Sequence, residues 1–141
     1  MPTLDDAIAL AAEAHRGQKD KAGRPYILHP LRLMLAMASE HERMAAVLHD
    51  AVEDSGVTLA DLAARGYPKE VVAAVDRLTR RKGEDYEAFI RRLKPDPLAR
   101  KVKLADLEDN MDLSRIPDPR PRDYKRLERY RAAWMELGGG A

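Results

Sequence analysis

The chain of 141 residues contains no cysteine. Disulfides, thiolate zinc sites, iron–sulfur ligation and cysteine nucleophiles are thereby excluded together. Aromatic residues make up only 5%, too few for a platform on which single-stranded bases stack. No run approaches the roughly 20 apolar residues of a membrane helix, and Leu33–Ala38 is among the longest apolar stretches. Charge of one sign is also lacking. The 25 basic and 24 acidic residues leave a net +1, which provides no global pull toward nucleic acid or an anionic membrane. Asp5 and Asp6 stand where an export signal would carry positive charge. The expectation is a cytoplasmic protein with neither nucleic-acid nor membrane partners. Amides are scarce too, with Gln18 and Asn110 the single examples of their types.

What is present is a globular balance of 45% hydrophobic and 35% charged residues. A chain of this length is expected to form one domain, 1–141, burying about 70% of its unfolded surface. Nearly every segment reads as helix, and no alternating strand pattern or internal repeat is visible. Three capping boxes, Thr3/Asp6, Ser39/Glu42 and Thr58/Asp61, mark helix starts. The first predicts a helix to about His15, the second one through about Asp54, and the third a short one stopping at Gly66. Arg16–Leu28, with Gly17, Gly23 and Pro25, reads as an ordered loop, and Pro30 opens a helix over Leu31–Ala38. Further helices are expected after Pro68, over Tyr86–Leu93, and from about Pro97 to Ser114. The last covers 122–137 before a glycine tail at 138–141. The fold class is all-α, with seven or eight helices.

Two segments carry candidate chemistry. In Glu42–Asp54, helical spacing gathers Met44, Val47, Leu48, Ala51 and Val52 on one side and His49, Asp50, Glu53 and Asp54 on the other. A solvated polar face is the ordinary interpretation. Against it, three carboxylates crowd the C-terminal turn, where the helix dipole favours cations by roughly 0.3–1 kcal/mol each. A divalent cation would reverse that penalty. In the second segment Lys103, Asp106 and Asn110 fall within an arc of about 60° between two apolar strips. That pattern fits a helix lining a cleft, and equally a surface ion pair. His29, preceding Pro30, adds a second imidazole. His29, His49, Asp50 and Asp106 together form a donor set suited to Mn, Fe, Co, Ni or Zn. His15 and His41 have less to recommend them.

Other chemistries fit poorly. There is no G-x-S-x-G elbow, and Ser39, Ser55 and Ser114 have no base patterned beside them. The Gly17–Gly23 loop lacks the ending of a phosphate-binding P-loop. The Arg80-Arg81-Lys82 triplet and the basic residues of 122–131 read as solvated turn and helix face.

Taken in order, the segments 14–18, 21–31, 45–54 and 102–110 resemble the hydrolase HD domain of the RelA/SpoT family and its small stand-alone members of the metazoan type. The likeness spans most of 8–114. It rests on His29-Pro30, on His49-Asp50 followed by Glu53-Asp54, and on Lys103-Leu104-Ala105-Asp106 followed by Asn110. The resemblance implies an HD-domain-like helical fold and a metal, most often Mn²⁺, held by His29, His49, Asp50 and Asp106. It further implies Glu53 and Asp54 as the catalytic pair acting on water. Lys21, Tyr26, Lys103 and Asn110 would be substrate contacts. The implied reaction removes the 3′-pyrophosphate of ppGpp, a small nucleotide partner. Asp20 stands where the family carries a guanine-contacting arginine, Leu107–Asp109 where basic or aromatic residues are common, and Asp112 where an arginine is common. Hydrolysis of another nucleotide, or nucleotide sensing without catalysis, are the alternatives, and the oligomeric state is left open.

Overall fold

The three capping boxes form as their spacing predicts. Thr3 Oγ1 accepts the Asp6 N–H at 3.2 Å, while the Asp6 carboxylate accepts the Thr3 N–H at 2.7 Å. Ser39 with Glu42 and Thr58 with Asp61 repeat the exchange. Each satisfies amides that the first turn of a helix leaves without partners. In this computed structural model, which describes residues 1–52 and 55–140, the caps open α1 (Leu4–Ala14), α3 (Glu40–Leu48) and α4 (Leu59–Ala64). Between the first two lies α2 (Leu28–Leu35). Then follow α5 (Lys69–Leu78) after Pro68, α6 (Tyr86–Leu93) capped by Asp85, and α7 (Pro97–Asn110) capped by Asp96. A 3-10 turn at Leu113–Arg115 and α8 (Pro121–Glu136) complete the chain.

Four boundaries differ from expectation. The largest difference is at α3, which stops at Leu48 rather than near Asp54. In a continuing helix the Ala46 carbonyl would take the Asp50 N–H. Here His49 Nδ1–H donates to it at 2.8 Å, and the next turn closes on i−3 through Ala51 N–H to Leu48 O at 3.1 Å. His49 and Asp50 thus sit on a turn, and Glu53 and Asp54 lie outside the described residues. At the other end of the site, α2 starts at Leu28, which places His29 and Pro30 inside its first turn. α7 ends at Asn110 because the Asp112 carboxylate accepts the Ser114 N–H at 3.0 Å and bends the chain into the 3-10 turn. α8 begins at Pro121, whose missing N–H is no loss at a first helical position.

The helices enclose one all-α core. α3 is its axis: Ala45, Ala46, Val47 and Leu48 have no exposed surface, and the helix packs against α1, α2, α5 and α7. α8 covers α7 and α6 from outside. Among the described residues the only β pairing is an isolated bridge, Lys19 with Pro25, in the loop joining α1 to α2. Gly17 and Gly23 turn that loop with φ of 81° and 82°, values that an L side chain seldom adopts. No helix among the described residues is long and apolar enough to cross a membrane.

Candidate metal centre

Burial of a charge is costly unless it is paired. Among the described residues the buried polar side chains are His15, His29, His49, Asp50, Asp106 and Asp123. The first five gather in one place, where α2, the end of α3, the end of α1 and the middle of α7 meet.

His29 comes from the first turn of α2. Its Nε2 is 2.8 Å from Asp106 Oδ1, and its Nδ1 is 2.6 Å from Asp109 Oδ2. His49 comes from the turn after α3. Since its Nδ1–H is spent on the Ala46 carbonyl, Nε2 is the atom left to face Asp106 Oδ1, at 3.7 Å. Asp106 is buttressed along its own helix. Lys103 Nζ lies 2.7 Å from Oδ2, and Asn110 Nδ2–H donates to Oδ1 at 3.1 Å. One donor atom each from His29, His49 and Asp106 lies within 4.8 Å of the other two.

Asp50 stands beside this group rather than within it. Its Oδ2 accepts the Tyr26 hydroxyl. Its Oδ1 faces His15 Nε2 at 3.2 Å, close enough for charge pairing but without hydrogen-bond alignment. The His49 ring links the two carboxylates, with Nδ1 3.7 Å from Asp50 Oδ1.

The electrostatics follow from these pairings. Burial alone would depress His29, but Asp106 and Asp109 outweigh it and raise its pKa to about 9. His49 and His15 are likewise disfavoured as cations by burial and raised on balance by the carboxylates beside them. Burial would push Asp106 up, yet Lys103 and the two histidines hold it well below the usual carboxylate range. Asp50 is held low in the same way by His49, His15 and Tyr26. Two imidazoles and a carboxylate match the chemistry of a divalent first-row transition ion. The outer partners fit as well. An Asp109–His29 bond and an Ala46–His49 bond fix each ring so that Nε2 points inward, the arrangement by which outer groups orient metal-binding histidines.

Beside the cluster opens a cavity of about 360 Å³. Its walls carry five cations, Lys19, Lys21, Arg32, Arg115 and Arg126, and four carboxylates, Asp20, Asp109, Asp112 and Asp123, and His29 and Asp109 connect it to the buried donors. Of the residues expected to touch substrate, Lys21, Tyr26 and Asn110 line this cavity. Lys103 is not on its walls. Its ammonium is buried against Asp106 and lies 5.3 Å and 5.8 Å from the ring centres of Phe89 and Tyr86.

Reasoning from sequence passed over three members of the cluster. His15 carried a signal: Ala7, Ala11 and His15 repeat every four residues, so the histidine continues the buried stripe of α1. Asp109 follows Asp106 by three residues on the same helix, and Arg32 follows His29 by three on the facing one. Arg32 binds Asp109 through Nε at 2.8 Å and Nη2 at 2.9 Å, a fork that neither helix reveals alone.

Comparison with known proteins gives a consistent set of similarities. The family model described as the HD domain matches residues 7–109. A guanosine-3′,5′-bis(diphosphate) 3′-pyrophosphohydrolase of Aquifex aeolicus is 34% identical over 77% of this chain and 17% of its own length. The bifunctional (p)ppGpp synthase/hydrolase SpoT of Escherichia coli is 33% identical over 96% of this chain and 22% of its own. A GTP pyrophosphokinase of Streptomyces coelicolor is 34% identical over 89% and 16%. The chain therefore spans less than a quarter of the length of these relatives. Among solved structures, a metazoan orthologue of SpoT that hydrolyses ppGpp shares the fold, with a TM-score of 0.77 over 97% of this chain and 86% of that one at 22% identity.

Proposed function

Because the chain belongs to the HD-domain family, we propose that it is a divalent-metal-dependent phosphohydrolase that removes the 3′-pyrophosphate of ppGpp. The convergence of His29, His49 and Asp106 at the edge of a cavity whose wall includes Lys19 and Lys21 carries this reading. These three side chains would hold the ion, with Asp50 next to His49 at the rim of the group, and Mn²⁺ is the metal we assign. Such an ion supplies Lewis acidity and brings the pKa of water toward neutrality.

The chain's own residues do the rest. Glu53 and Asp54 orient the attacking water and accept its proton. Lys19, Lys21 and Arg126 offset the charge of the phosphates, while Tyr26 and Asn110 border the reacting end. Water oxygen bonds to phosphorus, the bond from phosphorus to the 3′ oxygen breaks, pyrophosphate departs and the 3′ oxygen takes a proton, leaving GDP. A substrate of this kind places the activity in the cytoplasm.

The test is a release assay over a nucleotide panel with saturating Mn²⁺, run beside Asp106→Asn. Pyrophosphate released from ppGpp by the wild type and not by the variant is the expected result. Nucleotide binding by calorimetry with no release from any member of the panel would make the protein a sensor and overturn the assignment.

A further inference from the structure

Between α6 and α8 lies a second cavity, of about 320 Å³, that shares no residue with the one beside the metal centre. Its apolar part is formed by Ile90, Ala132, Ala133 and the Tyr86 ring. Four charged side chains border that part: Glu87 and Arg91 from α6, Arg129 and Glu136 from α8.

Arg129 is fixed without using its donors. Its guanidinium lies over two rings, 5.3 Å from the centre of Tyr86 and 5.9 Å from that of Tyr130. Stacking of this kind holds the guanidinium by its face and leaves the N–H groups on its edge available. Of the four charged groups, Glu136 alone has an ion-pair partner among the described residues, Lys94 at 3.3 Å. Two guanidiniums and one carboxylate are therefore left unmatched around an apolar patch.

A guanidinium edge takes a carboxylate through two parallel hydrogen bonds. A carboxylate such as Glu87 takes an ammonium, which offers only donors. The ligand that answers both and also covers hydrocarbon is a zwitterion with an apolar side chain. The volume lies at the small end of the range for ligand sites, which suits a single amino acid. A phosphate would meet Arg91 and Arg129, but it would face Glu87 with like charge and leave the apolar patch uncovered.

We propose that the α6–α8 cavity is a binding site for a free amino acid with an aliphatic side chain. Arg91 and Arg129 take its carboxylate, Glu87 its ammonium, and Ile90, Ala132 and Ala133 its side chain. The site is separate from the nucleotide cavity and does not depend on the hydrolase reading.

The experiment is methyl NMR on the full chain with labelled isoleucine, in the absence of metal, which amino acids themselves chelate. Ile90 reports on this cavity and Ile116 on the other. L-leucine should shift the Ile90 signal with a Kd of about 1 mM and leave Ile116 in place. Isoamylamine, which lacks the carboxylate, should bind at least about tenfold more weakly. Isocaproate, which lacks the ammonium, should bind at least about threefold more weakly, because Glu87 is exposed. Arg129→Gln should weaken leucine at least about tenfold, and Glu87→Gln should bring it to the level of isocaproate. Ala132→Leu adds bulk at an exposed helical position without changing charge, and it should abolish the Ile90 shift at an unchanged melting temperature. An Ile90 signal that leucine does not move would overturn the proposal, as would leucine that moves Ile116 alone. Isocaproate that binds wild-type protein as tightly as leucine would make this a simple carboxylate site and overturn the zwitterion assignment. Leucine binding that survives both Arg129→Gln and Ala132→Leu would place the ligand elsewhere and overturn it equally.

Discussion

Asp106 and Asp50 are both buried carboxylates, 5% and 8% exposed, but they are held in different ways. Asp106 is set by its own helix. Lys103, three residues before it, and Asn110, four after, take its two oxygens, so that once α7 forms the carboxylate is already aimed. Asp50 has no such helical support, only the ring of the adjacent His49 at 3.7 Å. Its partners are Tyr26 from the α1–α2 loop and His15 from the end of α1, 24 and 35 positions away in sequence. One acid is positioned by secondary structure and the other by tertiary packing. Disturbing α7 should therefore affect Asp106 and the ion it helps hold. Disturbing the loop should affect Asp50 and leave the triad of His29, His49 and Asp106 in place.

The sharpest way to break this contrast is Asp106→Asn. It removes the central charge of the cluster and leaves Lys103 buried without a carboxylate. Affinity for Mn²⁺, measured by calorimetry on stripped protein, should fall by at least about 100-fold. The metal-free protein should also be destabilised by about 3–5 kcal/mol, because breaking one partner of a buried pair strands the other. Unaltered metal affinity would show that the ion is held elsewhere.

Asp109→Asn should be milder and more selective. It weakens the hydrogen bond that orients His29 and the fork from Arg32. Loss of an outer partner of this kind lowers metal affinity by about 10–100-fold. The melting curve should move less than for Asp106→Asn, since Asp109 lies at the cavity edge with Arg32 and Arg115 still beside it.

The same difference decides what periodicity could reveal. Lys103, Asp106 and Asn110 are legible because helical spacing is local arithmetic, and α7 obeys it through Asn110. The capping boxes at Thr3, Ser39 and Thr58 are legible for the same reason, and each is found where its spacing placed it. The end of α3 is not legible that way. Its apolar pattern runs on through Ala51 and Val52, but the His49 ring takes the Ala46 carbonyl and stops the helix at Leu48. No count of apolar positions contains that side-chain bond. The partners of Asp50 were hidden too, because His15 and Tyr26 reach it only after α1 and the loop fold back on α3. Lys103 shows the reverse error. Lys103 lies on the polar strip of α7 with Asp106 and Asn110, yet its ammonium faces the Asp106 carboxylate and two aromatic rings, and only Asn110 of the strip borders the cavity.

Proton competition tests the occupied centre without any mutation. In the metal-free protein His29 is raised to about 9 by Asp106 and Asp109, against 6.5 for an ordinary histidine. Its protonated form stabilises the fold fully below about pH 6.5, and that contribution is lost as pH rises through about 9. A metal ion needs the His29 Nε2 lone pair, so binding must displace this proton. Between about pH 6.5 and 9 the apparent affinity for Mn²⁺ should thus rise by about tenfold per pH unit, while the stability of the metal-free protein declines. Isothermal titration in buffers of different ionisation enthalpy would count the proton released. Affinity that is flat over this window would remove His29 from the ligand set.

The smallest effect is expected from Tyr26→Phe, and it bears most directly on the difference between the two acids. The substitution deletes the hydroxyl that Asp50 Oδ2 accepts but keeps the ring, which packs 5.0 Å from the His15 ring and 5.7 Å from that of His29. Leaving a buried acceptor short of its donor costs about 1–3 kcal/mol, readable as a lower melting temperature. If Asp50 is held by packing apart from the triad, Mn²⁺ affinity should change far less than in Asp109→Asn. A loss of affinity as large as that of Asp109→Asn would mean that Asp50 shares the ion directly. The local and the remote carboxylate would then be two halves of one coordination sphere, and folding of the α1–α2 loop would be part of metal binding.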